Sequence, residues 1–178
     1  MAEPQLRPRA RQIVAQAREL LEQQGAEALT MRALAARLGI RAPSLYKHFP
    51  DKSAMEAVLI AEGMAELSDA LTAAVESAHG PAALLALAES YRTYALEHPA
   101  LYRLMTDRPL PRDLLPEGLE ERAGAAVLQV TGGDHHLARA AWAFAHGMVM
   151  LELNGRFPDG ADLAATWRSG VLALLNQP

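Results

Sequence analysis

The chain has no cysteine among its 178 residues. Neither a disulfide framework nor a thiolate metal site is therefore available. It also lacks any apolar run approaching the roughly 20 residues that span a bilayer, so no membrane is expected as a partner. The opening "MAEPQLRPRARQ" has no apolar core of the secretory kind, and the expected location is cytoplasmic. Strand signals are missing: Val and Ile are scattered, and Ala, Leu, Glu and Arg dominate, the residues that lose least on entering a helix. There is no internal repeat and no low-complexity tract. No nucleophile elbow, phosphate-cradling Gly loop, HExxH pair or supported pair of carboxylates occurs, so no catalytic residue is assigned and an enzyme is not expected. His135 and His136 are adjacent and would point about 100° apart on a helix, which prevents them from chelating one ion. No metal and no cofactor are expected.

Lysine is nearly absent, and where it occurs matters. Both lysines, Lys47 and Lys52, fall in the stretch "RALAARLGIRAPSLYKHFPDKSAM", residues 32–55. Net charge is −4 overall, but residues 1–52 hold nine Arg or Lys against five Asp or Glu, and residues 53–178 hold eight against sixteen. The two parts thus carry +4 and −8. A basic head on an acidic body suits a polyanionic partner, although a solvated basic face would look the same by charge alone.

Periodicity predicts about nine helices and an all-α fold. Ile13, Ala17, Leu20 and Leu21 share one face of a first helix that Gly25 ends. Thr30 is the expected N-cap of a short second helix carrying Leu34, Ala35 and Leu38 inward, and Gly39 closes it. Pro43 fits the first turn of a third helix, predicted to run to about Phe49, and Asp51 caps the next. That fourth helix is predicted over 52–77, with Met55, Leu59, Leu67, Leu71 and Val75 on its buried stripe. Further helices are expected at about 82–97, 100–105, 119–131, 134–154 and 161–175, with the proline-rich 107–118 as a loop.

Two short helices joined by a Gly turn, the second opening with Pro, have the form of a helix-turn-helix, whose second helix enters the DNA major groove. Leu34, Leu38, Leu45 and Phe49 would fasten it together. Arg41, Ser44, Lys47 and the ends of Tyr46, His48 and Lys52 would then meet phosphates and bases. Such proteins read two half-sites by dimerising, so double-stranded DNA and a second copy of the chain are the expected partners.

"LTMRALAARLGIRAPSLYKHFPDKSAM", with the preceding helix ending "EQQGAEA", resembles the DNA-binding domain of the tetracycline-repressor (TetR) family of transcriptional regulators over residues 9–60. "AWAFAHGMVMLELNGRF", 141–157, resembles a Trp-His-Gly segment of one branch of that family's C-terminal domains. The resemblance implies a helix-turn-helix DNA-binding domain over 1–52 and a helical ligand-binding and dimerisation domain over 53–178. It implies phosphate contacts from Tyr46, His48, Thr30 and Lys52, the last helped by its helix dipole. It implies base or groove contacts from Arg32, Arg41, Ala42, Pro43 and Lys47. The last two helices would form a four-helix bundle across a dimer axis, with Ala140, Ala141, Ala143, Ala145 and Gly147 permitting close approach. A small, largely apolar effector is expected in the body, with Tyr91, Tyr94, Tyr102, Met105, Trp142 and His146 as its candidate lining; Leu104, Phe144 and Met148 are further bulky groups there. Repression is the commoner habit of the family.

Overall fold

Prolines and short polar side chains set where the helices start. The computed structural model describes residues 6–175 and contains, among them, nine α-helices and no strand. They are α1 (Pro8–Gln24), α2 (Met31–Arg37), α3 (Ala42–Leu45), α4 (Lys52–Glu76), α5 (Pro81–Glu97), α6 (Pro99–Thr106), α7 (Leu119–Val130), α8 (His135–Leu153) and α9 (Leu163–Leu175). Prolines occupy the first turns of α1, α3 and α6, where a missing N–H costs nothing. Thr30 Oγ1 accepts the Ala33 amide at 3.1 Å, and Asp51 Oδ1 accepts that of Ala54 at 2.8 Å, both as predicted. Asp134 caps α8 by accepting the amides of His136 and Leu137 at 2.8 and 3.1 Å. Those bonds, Leu137's first, hold its carboxyl below the usual range. The loop 107–118 contains one 3-10 turn, Arg112–Leu114.

Two predictions need correcting. The third helix ends at Leu45, not near Phe49. The Leu45 carbonyl accepts the amides of both His48 and Phe49, at 2.8 and 3.0 Å, and Pro50 supplies no further donor, so Tyr46–His48 form a turn. On α4 the buried line includes Ser68 and leaves Leu67 half-buried. Ser68 Oγ is satisfied there by donating to the Arg122 carbonyl at 3.0 Å.

The helices pack as two units. The first comprises the described residues up to Met64 together with His98–Leu119; the second comprises Ala65–Glu97 and the described residues from Glu120 on. In the first, Ile13, Leu21, Leu34, Leu45, Met55 and Leu101 are fully enclosed. Each such side chain contributes about 1.5–3 kcal/mol by leaving water. Gly39, at φ +65°, makes the turn between α2 and α3, a conformation costly for any residue with a Cβ. Glu22 of α1 accepts the amides of Ala100 and Leu101 at 3.2 and 3.1 Å, capping α6, whose own N-cap residue His98 gives no side-chain cap.

The second unit is braced by one carboxylate. Glu152 of α8 accepts two bonds from Arg92 Nε and one from Nη2 at 2.7–3.0 Å, and a fourth from Trp167 Nε1 at 2.5 Å. Its side chain is 6% exposed, so α5, α8 and α9 meet at a buried, saturated anion. Beside it Phe144 packs edge-on to Trp167 at 5.6 Å. The same ring stands 2.2 Å from where a Cβ on Gly170 would lie, so any other residue there must displace Phe144.

Candidate nucleic-acid interface

The buried faces of α2 and α3 decide which side chains are left outside. Leu34, Ala35, Leu45 and Phe49 point inward, and Leu38 packs on the edge of the same core. Thr30, Arg32, Arg41, Pro43, Tyr46, Lys47 and His48 are all exposed; Ala42 and Ser44 are half-buried. Tyr46, an aromatic that burial would normally claim, is 51% exposed. With the helix ended at Leu45, the triplet Tyr46–Lys47–His48 fans out from a turn rather than along one helical face.

Lys52 is placed differently. Its ammonium donates to the Ala26 carbonyl at 3.2 Å and lies 3.2 Å from Glu56 Oε1, so it ties the α1–α2 loop to the start of α4. Beyond the Ala26 bond its ammonium keeps donor capacity for another anion.

The frame that holds this face includes a residue that sequence reasoning missed. Arg37, at the end of α2, donates to Gln16 at 3.1 Å, to Gln23 at 2.9 Å and to Glu19 at 2.9 Å. All three acceptors belong to α1. The guanidinium fork thus fixes the angle between α2 and α1, and with it the exposed face. No local signal marks it, since its partners lie 14 to 21 residues away.

Of the six residues expected to line an effector pocket, two lie in the first unit and four in the second. Tyr102 is fully buried on α6 in the first unit, and Met105 there lines a cavity of about 190 Å³. In the second unit Tyr91 is buried, and Tyr94 lines a groove of about 360 Å³ between α4 and α5 while hydrogen-bonding Glu66 at 3.1 Å. Trp142 is 55% exposed on α8, with the His146 ring 6.3 Å from it. In the first unit α6 packs with α1 through Glu22 and Leu101. The small residues of α8 also divide: Ala141 and Ala145 are buried within the chain, Ala140 and Ala143 are exposed, and Gly147 lies between.

The chain matches known proteins in both sequence and fold. Residues 13–68 match the model of bacterial regulatory proteins of the tetR family, and residues 84–174 match that of the tetracyclin repressor-like C-terminal domain. An uncharacterized HTH-type transcriptional regulator of Mycobacterium tuberculosis is 35% identical over 174 residues, covering 91% of this chain and 78% of that protein. A protein of unknown function from Rhodococcus sp. RHA1 superposes with a TM-score of 0.75 at 28% identity, covering 98% of this chain and 97% of the other. A TetR variant from Acinetobacter baumannii, solved in complex with minocycline, gives a TM-score of 0.65 at 26% identity, with 92% of each chain covered. Matched along both its basic head and its helical body, the chain belongs to the tetracycline-repressor family and is a helix-turn-helix DNA-binding transcriptional regulator, not an enzyme.

Proposed function

We propose that the chain is a cytoplasmic repressor that binds a near-palindromic operator as a homodimer and leaves it when a small effector binds. One observation carries the reading: the exposed Arg32, Arg41, Lys47, Tyr46 and His48 stand on a braced helix-turn-helix, in a protein whose remaining residues are acidic. Tyr46, His48, Thr30 and the Lys52 ammonium take phosphates. Arg32, Arg41 and Lys47 reach base edges, where Arg or Lys reads guanine O6 and N7, and Pro43 and Ala42 press on thymine methyls. Residues 1–52 form the DNA-binding part and 53–178 the part that dimerises and takes the effector.

Dimerisation through α8 and α9 is supported by the exposure of Trp142 (55%) and Leu151 (43%) on α8, with the small Ala140 and Ala143 beside them. Such apolar side chains in water favour a partner. For the effector, the groove lined by Tyr94, Ser90 and Thr93 is of drug-fragment size. The minocycline complex of the Acinetobacter relative supports a small-molecule ligand for this fold. The helix α4 contributes to both units, so a ligand that favours one placement of its second half acts on the first. A tenfold loss of DNA affinity requires about 1.4 kcal/mol of differential ligand affinity, and DNA must weaken the ligand equally.

The test is a gel shift with DNA from upstream of the protein's own gene, followed by a ligand screen by thermal shift. Retardation of that DNA and its reversal by a hit are expected. No retardation of any upstream fragment at low salt overturns the reading, and a hit that binds equally with and without operator overturns the release mechanism.

A further inference from the structure

The first unit holds a cavity that the DNA-facing surface does not use. It has a volume of about 190 Å³ and lies between the first turns of α4, the end of α6 and residues 108–111. Its walls include Ile60, Leu104, Met105 and Leu110, all apolar. Two charged residues also line it. Arg108 has a side chain 55% exposed and directed to Glu27 at 3.5 Å, which leaves it at the rim. Glu56 is the more enclosed of the two: its side chain is 13% exposed, and its Oε1 is sealed from solvent with no aligned hydrogen-bond donor. Lys52 Nζ stands 3.2 Å from that oxygen but directs its hydrogen bond to the Ala26 carbonyl.

A buried carboxylate with unmet acceptor capacity is costly, and the group that best answers it is a cation that can also hydrogen-bond. Glu56 lines the cavity and its terminal carboxylate torsion is soft, which leaves its oxygens able to turn toward a ligand there. We propose that this cavity is a binding site for a small organic ammonium ion, with its charge on Glu56 and its hydrocarbon against Ile60, Leu104, Met105 and Leu110. A dry cavity of about 150 Å³ accommodates benzene, so the ligand is of roughly one-ring size. Lys52 is the resident competitor for Glu56. Occupancy by an amine therefore releases its ammonium next to the turn that carries Tyr46–His48, a consequence that rests on the DNA-facing reading above; the site itself does not.

The test uses the full chain without DNA, so its failure and the failure of the DNA-facing reading are separately visible. Calorimetric titration compares cyclohexylmethylamine with the neutral isostere cyclohexylmethanol at pH 7. The amine is expected to saturate with a Kd on the order of 1 mM, as suits so few contact atoms, and roughly tenfold tighter than the alcohol. Glu56→Gln should remove that preference, and Lys52→Met should tighten the amine by removing the competitor. Equal affinities for amine and alcohol, as a water-filled site would give, overturn the proposal, as does absence of saturable binding at tens of millimolar. An unchanged preference in Glu56→Gln also overturns it. Should Glu56→Gln not fold, Lys52→Met decides: unchanged or weaker amine binding is the contrary result.

Discussion

Arg37 holds Glu19 at 2.9 Å across the α1–α2 contact while the same guanidinium serves Gln16 and Gln23. Three separate acceptors need a planar fork, which lysine cannot offer. Arg37→Lys should therefore cost nearly as much as Arg37→Ala, about 1 kcal/mol each. Urea unfolding, with an unchanged slope and a lowered midpoint, is the measurement. A fully stable Arg37→Lys protein would show that charge alone acts here.

On the exposed face the substitutions should separate into two kinds. Tyr46→Phe and His48→Ala are expected to weaken binding to every DNA sequence alike, as phosphate contacts do. Arg41→Ala and Lys47→Ala should instead change which bases are preferred, by about 1–3 kcal/mol per lost bidentate pair. Lys52→Ala belongs to neither kind. Its ammonium holds the Ala26 carbonyl and Glu56 as well, so it should lose both DNA affinity and about 1–2 kcal/mol of stability. Binding titrations against a panel of operator variants, with parallel unfolding curves, distinguish the three outcomes.

In the second unit the saturated anion is the sensitive point. Arg92→Ala leaves Glu152 buried with only the Trp167 N–H, and should cost about 3 kcal/mol. For a chain of this size that corresponds to a fall of roughly 6–12 °C in Tm. Replacing both Arg92 and Glu152 by apolar residues should recover part of the loss, because no charge is then stranded. A thermal scan of the single and double variants checks both statements.

Asp134 gives a pH dependence whose sign follows from its lowered folded-state pKa. Its cap is fully effective above the unfolded pKa of about 3.9 and is lost as pH falls through the lower folded value. Asp134→Asn keeps a capping oxygen at all pH and should flatten this part of the acid-unfolding curve; Asp134→Ala removes the cap at neutral pH too. Acid titration followed by circular dichroism of the three proteins is the check.

Helix ends and the helix-turn-helix were legible because their causes are local. Thr30, Asp51 and Pro43 act within three or four residues of themselves, and Gly39 acts on its own backbone. Where α3 stops was not legible, since a three- or four-residue closure at Leu45 depends on how Phe49 reaches the core. The braces were hidden for a plainer reason: Glu22 captures amides 78 and 79 residues away, and nothing in the spacing of α1 announces it. The exposed base-reading candidates, by contrast, follow from knowing which leucines turn inward.

The reading of the basic head as a DNA surface stands or falls on one titration: duplex affinity of the intact protein between about 50 and 200 mM salt. If the dimer neutralises 6–10 phosphates through its two copies of residues 30–52, affinity should fall by about 10³–10⁵ over that range. Tyr46→Phe, which removes no charge, should leave the slope intact while lowering the curve. An affinity that is flat in salt, or an affinity and slope both unaltered when Lys52 is replaced by alanine, would contradict it.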